Sequence, residues 1–134
     1  MNTKHDKVFL SLILIFTLSI TSFVSLAQIP DEIILSLKSG NSKVLSSYFN
    51  ENIELVVLEN DNVYSRAQAQ QIICNFFEQY HPEEFNVIHQ GGREGAQYVI
   101  GGLLTKQGNF RVSFLLKKNG GKVYIHQLRI EKQG

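Results

Sequence analysis

The chain is predicted to fold as an α+β domain in which a strongly bent antiparallel sheet wraps around one long helix, with two short N-terminal helices before it. Two observations carry this prediction. Apolar residues recur at helical spacing between Ser65 and Tyr80, whereas after Pro82 they alternate with polar residues, as in half-buried strands. The order of elements then leaves one helix face and one sheet face to cover each other. The predicted architecture is therefore cone-like, with a single core.

The first 27 residues have the pattern of a secretory signal peptide. Lys4 and Lys7 precede an apolar run over residues 8–24, and small residues stand three and one positions before a cut between Ala27 and Gln28. The alternative is an uncleaved anchor, but the run has only 17 residues, the lower end of the roughly 17–25 that span a bilayer. We therefore expect an exported protein, periplasmic or extracellular, whose mature form is a single domain over residues 28–134.

The charge of the mature chain excludes some classes of partner. Removal of Lys4, Asp6 and Lys7 with the signal leaves 107 residues carrying 11 basic and 11 acidic side chains. Nucleic acids and anionic membranes bind basic surfaces, so neither is expected as a partner. The single cysteine, Cys74, excludes an internal disulfide, and no base that would activate it as a nucleophile stands near it in the sequence.

The first half of the mature chain supplies the helices and a hairpin. Pro30 and the acids after it begin a helix that ends at Gly40, and Asn41 caps a second short helix predicted to extend to Phe49. A strand over residues 53–58, a turn over residues 59–62 and a short return strand follow.

The long helix has the clearest local signal in the chain. Ser65 and Gln68 form a capping box at its start, and its end is set by Pro82, because the residue before a proline avoids the helical region. Loss of the Ser65 hydroxyl is expected to cost roughly 1 kcal/mol of stability. A broad apolar stripe faces the sheet; it comprises Ala69, Ile72, Ile73, Phe76, Phe77 and Tyr80.

Four strands complete the chain, separated by turns at residues 91–95, 106–109 and 119–121. In a regular last strand, Val123 and Ile125 would lie on one face of the sheet and Leu128 and Ile130 on the opposite face. One extra residue near His126 returns both pairs to the same face. We therefore predict a β-bulge there, which also bends the sheet.

This order of elements resembles the nuclear transport factor 2-like superfamily, also called the cystatin-like α+β cone. Three sequence motifs carry the resemblance. The first is Gly40-Asn41 with Tyr48-Phe49, the second is Tyr64-Ser65 followed by Ala69 and Phe76-Phe77, and the third is the segment from Ile125 to Ile130. Within the superfamily the chain is most similar to exported bacterial proteins catalogued as domain of unknown function 4783, through Phe85, His89, Gly91, Gly101 and Gly102.

The resemblance implies a cone that some members use as a pocket for small molecules. Isomerases of this kind rely on a carboxylate base inside the cone. Here Glu84, Glu94 and Glu131 are the acids after residue 83, and all lie at predicted strand ends or turns. Fold alone does not confer activity, so no catalytic residue, cofactor or metal is assigned.

The candidate pocket or rim residues are His89, Tyr98, His126 and Tyr64. His89 shares the predicted face of Phe85 and Val87, which suggests an inward ring, although a histidine there is more often a satisfied core residue. The histidines have no metal-ligand spacing. Lys117, Lys118 and Lys122 favour a solvated hairpin tip over a phosphate site.

We therefore expect a non-enzymatic binding or interaction domain for a small ligand or a protein partner, with a homodimer through the sheet face as one form. The alternative is a small-molecule enzyme of the isomerase or hydrolase kind that uses His89 and a tyrosine. A deep cavity holding a hydrogen-bonded His89 favours the enzyme, whereas an interior filled by phenylalanines favours the binding domain. Those phenylalanines are Phe76, Phe77, Phe110 and Phe114.

Overall fold

The computed structural model describes residues 29–134. The predicted signal peptide and its cleavage site lie outside these residues. Within residues 29–134, three helices and six strands follow one another in the order expected from the sequence. The helices are α1 (Asp31–Ser39), α2 (Ser42–Ser47) and α3 (Arg66–Gln79). The strands are β1 (Phe49–Val57), β2 (Asn60–Ser65), β3 (Pro82–Arg93), β4 (Ala96–Thr105), β5 (Gly108–Asn119) and β6 (Lys122–Lys132).

All six strands form one sheet in the order β2-β1-β6-β5-β4-β3. The four C-terminal strands pair in antiparallel fashion, as expected. The predicted antiparallel sheet is present at every junction except one, where β1 lies parallel to β6. This junction is set by burial: Leu55 pairs with Leu128 and Val57 with Ile130, and all four side chains are buried. Parallel pairing between elements so far apart in the chain leaves no local signal.

The predicted capping box at the start of α3 is present. The Ser65 hydroxyl accepts a hydrogen bond from the Gln68 backbone N–H, and the Gln68 side chain accepts one from the Ser65 backbone. From that start, α3 turns Ala69, Ile73 and Phe77 into the core. α3 contacts β1, β2 and α2, while α1 packs against β3 at the far edge of the sheet.

Two boundaries differ from the prediction for tertiary reasons. The second helix ends at Ser47, because Phe49 begins β1, pairs with Ile125 and is fully buried. The first hairpin turns at Leu58 and Glu59 instead of over residues 59–62. The polar residues from Asn60 onward belong to the edge strand β2, where their side chains remain exposed to solvent.

The predicted bulge in β6 is present. Leu115 pairs with Gln127 and Leu116 with Ile125, so His126 is the extra residue between them. Ile125 and Leu128 are consequently both buried although they differ in parity. Two further register shifts, which the alternation did not reveal, lie in β3, one between Pro82 and Glu84 and one between Val87 and His89.

Candidate functional site

His89 and Tyr98 form a contact on the outer face of the sheet, the face turned away from α3. His89 Nε2 and the Tyr98 hydroxyl are 3.1 Å apart, and their ring centroids are 5.6 Å apart. The bulge at Ile88 shifts the parity of β3, so His89 pairs with Ile100 and shares the outer face, whereas Phe85 remains in the core. The expectation of an inward His89 ring is therefore wrong, because the ring is exposed to solvent.

The glycine pair in β3 makes room for this contact. Residues 91 and 92 were predicted as a turn, but both lie within β3, and the turn follows at Glu94 and Gly95. A Cβ atom on Gly91 would stand 2.8 Å from the Tyr98 hydroxyl oxygen and 2.9 Å from its Cζ. Gly91 therefore lets the Tyr98 ring lie across the edge strand, next to His89.

The other two candidate residues lie elsewhere. Tyr64 pairs with the buried Ile53 and is half-buried, packed against the hydrophobic core. His126 occupies the bulge of β6, where its Nε2 atom is buried without a hydrogen-bond partner among residues 29–134. The structure therefore pairs His89 with Tyr98 but gives no sign of a single site that contains all four residues.

The environment of His126 disfavours its charged form. Burial, and to a lesser extent the positive charge of Lys117, lowers the pKa of His126 from its ordinary value of 6.5. The folded state therefore binds fewer protons than the unfolded chain just below pH 6.5. The stability that the neutral ring contributes is complete above that pH and is lost as the pH falls through the lower pKa of the folded state.

Replacing His126 is expected to reduce the pH dependence of stability. In His126→Gln, the fall in the thermal midpoint between neutral pH and a pH below 6.5 becomes shallower than in the unmodified protein, because the titrating ring is gone. The control is His81→Gln, since His81 is exposed. Equal slopes for His126→Gln and the unmodified protein, measured by circular dichroism, would contradict this assignment.

The space between α3 and the sheet is filled by aromatic side chains. Phe110 packs edge-on against Phe76 and Tyr80, with centroid separations of 5.1 and 4.8 Å, and Phe76 stacks on Tyr80 at 5.1 Å. The four phenylalanines expected to decide between a filled and an open interior, Phe76, Phe77, Phe110 and Phe114, are all buried in one core cluster. This is the arrangement that favours a binding domain over an enzyme with an internal cavity.

Two open depressions indent the surface of the described residues, and none of the four candidate residues lines either one. The first has a volume of about 430 Å³ and is lined by Pro30, Ser47, Tyr48, Arg66, Lys122, Val123 and Tyr124. The second, of about 230 Å³, lies beside the β1–β2 turn against α3. The residues of the first depression come from separate segments, so no motif marked them in the sequence.

The outer face of the sheet combines apolar and paired polar side chains. Ile88 is 66% exposed and lies near Gly102, with Tyr98 and its register neighbour Leu115 farther along the same face. Toward β1, Arg129 Nε donates to Glu131 at 2.9 Å, and Gln127 Nε2 donates to Glu54 at 3.1 Å. The face therefore has an apolar region beside β3 and a mixed-charge region beside β1.

Within residues 29–134, no three His, Cys, Asp or Glu side chains are grouped so that they can hold a metal ion. None of the helices in this range has the length and apolar content needed to cross a bilayer. Cys74 is a half-buried free thiol whose Sγ lies 3.7 Å from a Glu78 carboxylate oxygen.

The bent six-stranded sheet packed on α3 has the nuclear transport factor 2-like α+β fold. The protein Rd1NTF2_05, of known structure, shares this fold at a TM-score of 0.60 over 75% of this chain and 90% of its own, with 13% identity. The sequence profile described as Domain of unknown function (DUF4783) matches residues 30–131, and the chain belongs to that family.

Two solved members of the family are similar to this chain. The one from Bacteroides ovatus is 37% identical, with a TM-score of 0.75 over 79% of this chain and 96% of its own. The one from Bacteroides uniformis is 34% identical, with a TM-score of 0.76 over 80% of this chain and 99% of its own. A search of curated proteins found no match. The comparisons thus identify a family and a fold, and the family has no assigned activity.

Proposed function

We propose that this chain is an exported, non-enzymatic interaction domain that associates with a second copy through the outer face of its sheet. The observation that supports this most directly is the pair of exposed apolar side chains on this face, Ile88 and Tyr98, with the half-buried Leu115 next to Tyr98 and a mixed-charge region beside them. Exposed apolar side chains grouped on one face of a small domain are typical of an interaction site. The filled interior favours binding at the surface, because the side chains of the core occupy the space that an internal ligand would need.

A second copy is the partner that the charges of this face favour. Arg111 and Arg129 lie on the same face as Glu54 and Glu131, so the face carries both signs. In a two-fold dimer each patch meets the equivalent patch of its partner, and a face with both signs can place opposite charges together. A strongly single-signed face would instead repel its copy.

The size of the sheet is sufficient for such an association. Six strands at a spacing of about 4.8 Å make a sheet roughly 24 Å wide, and strands of about ten residues are roughly 33 Å long. The resulting face of about 800 Å² matches the roughly 800 Å² that each partner buries in a standard interface. A dimer of standard size would therefore use nearly the whole outer face.

The enzyme alternative has weaker support. It required His89 to be hydrogen-bonded to a second polar group inside a deep cavity. His89 does contact Tyr98, but on the exposed outer face and away from both depressions. A proton-transfer pair on such a surface lacks the enclosed, water-poor setting that strengthens electrostatic catalysis.

The association is tested by sedimentation equilibrium of the exported chain over a range of concentrations. A monomer–dimer equilibrium is expected, and Ile88→Lys should raise its dissociation constant about tenfold or more, because it places a charge in the apolar region. The matched control is Leu35→Lys, since Leu35 is 59% exposed on α1, away from this face. A monomer at every concentration, or equal effects of both variants, would refute the proposal.

Export is tested separately, by mass spectrometry of the protein recovered outside the cytoplasm. A chain that begins at Gln28 supports cleavage after Ala27. An intact chain beginning at Met1 in the membrane fraction would refute export in soluble form. Neither result depends on the state of association, so the two parts of the proposed function can fail independently.

A further inference from the structure

The first depression lies where β6 extends beyond the start of β1. β6 begins at Lys122, but its first partner in β1 is Phe49, which pairs with Ile125. Residues 122–124 therefore have β5 on one side and no strand on the other. The end of α2, the first residue of α3 and the N-cap of α1 surround this gap and give the depression its volume of about 430 Å³. The depression is open to solvent, so a ligand in it would remain partly exposed.

Arg66 is held in the wall of the depression by one end of its guanidinium group. Its Nε donates to the Phe49 carbonyl oxygen at 2.9 Å. The two terminal nitrogens have no hydrogen-bond partner among residues 29–134, and they lie in a planar group whose orientation this bond restrains. A guanidinium restrained in this way presents paired donors at little entropic cost, and such pairs match the two oxygens of a carboxylate.

The backbone of β6 adds further polar groups to the same gap. The Ile125 N–H donates to the Tyr48 carbonyl oxygen at 2.7 Å, so the backbone of Ile125 faces the β1 side. Because strand residues alternate with a period of two, the N–H and carbonyl groups of Val123 face the same side, beyond the start of β1. The exposed Lys122 contributes a second positive charge.

The remaining lining is aromatic and apolar. Tyr48, Tyr124, Val123 and Pro30 line the depression. The Tyr48 hydroxyl donates to the Glu32 carboxylate, and this bond, with burial and the carboxylate's charge, raises the pKa of Tyr48. Glu32 keeps its negative charge in this bond, whereas Arg66 and Lys122 give the depression two positive charges.

From this arrangement we infer a binding site for an aromatic carboxylate, with the carboxylate on Arg66 and the ring between Tyr48 and Tyr124. The site is argued from the gap beside β6 and from Arg66, so its test does not rest on the proposed association. The same chemistry exists in a free aromatic acid and at the C-terminus of a peptide that ends in an aromatic residue. Both sources present a carboxylate next to a ring, so the experiment includes one probe for each.

The first measurement is titration of the isotope-labelled exported protein with 2-naphthoate, followed by NMR. Shifts are expected at the amides of Val123 and Tyr124 and at Arg66 Nε. The neutral analogue 2-naphthylmethanol should shift them much less. A short peptide ending in phenylalanine, compared as free acid and as amide, shows whether chain ends are also recognised. The absence of saturable shifts at these groups with either acid, up to its solubility limit, would overturn the inference.

The second measurement compares substitutions that make the same change in charge. Arg66→Gln should weaken binding of 2-naphthoate about tenfold or more, because it removes a charge-assisted pair of donors. Arg93→Gln is the matched control, since Arg93 is exposed at the end of β3, on the opposite edge of the sheet from β1 and β2. Lys122→Gln should weaken binding less than Arg66→Gln, and Lys118→Gln at the same hairpin should leave it unchanged. Loss of the Arg66–Phe49 bond in Arg66→Gln could itself perturb the fold. Lys122→Gln leaves that bond in place, so it tests the site independently. Equal effects of Arg66→Gln and Arg93→Gln would refute the site.

Discussion

Phe110→Ala is expected to lower the free energy of unfolding by about 3–5 kcal/mol. Phe110 is fully buried and is the residue on which two aromatic rings of the α3 segment, Phe76 and Tyr80, meet edge-on. Truncation removes its apolar burial and leaves a cavity between the long helix and the sheet, because the strand backbone on one side and α3 on the other restrict collapse. This substitution therefore tests whether packing of α3 on the sheet holds the domain together.

The measurement is urea unfolding at neutral pH, followed by circular dichroism. Val63→Ala is a control, because Val63 is 57% exposed on the edge strand β2 and should cost less than about 1 kcal/mol. A cost below about 1 kcal/mol for Phe110→Ala would mean that this ring is not central to the core.

Gly101→Ala is expected to destabilise the protein by about 2–3 kcal/mol, the upper part of the range for overpacked cores. A Cβ atom on Gly101 would stand 2.4 Å from Phe85 Cζ and 2.7 Å from the Asn86 carbonyl oxygen. The ring of Phe85 is itself buried, and the carbonyl belongs to the neighbouring strand β3. Neither neighbour can move away without disturbing the core or the strand pairing.

The neighbouring glycine provides the matched control. A Cβ atom on Gly102 would meet only Ile88 Cδ1, at 3.7 Å, which is ordinary van der Waals contact. Gly102→Ala is therefore expected to change stability by less than about 0.5 kcal/mol, or to increase it by restricting the unfolded chain. Equal unfolding midpoints for the two variants would contradict the steric role assigned to Gly101.

Elements with strong local signals were predicted well. The capping box at Ser65 and Gln68 is present because both partners lie within one helical turn. The bulge at His126 was deduced because Ile125 and Leu128 require the same face despite opposite parity. The bulge at Ile88 left no comparable sign, since His89 and Gln90 suit either face, and so the expected direction of His89 was wrong.

The candidate site was predicted less completely than the fold. His89 and Tyr98 do lie together, but through pairing of β3 with β4 on the outer face, and no motif encodes that contact. Tyr48, Arg66 and Lys122 border a common depression although they lie at the boundaries of three different elements. In the sequence, no motif joins these three residues.

Local patterns in this chain were sufficient for the helices, most strands, the β6 bulge and the α+β class, because each depends on residues a few positions apart. The tertiary structure decided the parallel contact of β1 with β6 and the direction of His89, together with the gap lined by Arg66. These features depend on which distant segments share buried surface and on how far one strand extends past its neighbour. The packing of the whole core determines these features, so no short stretch of sequence predicts them.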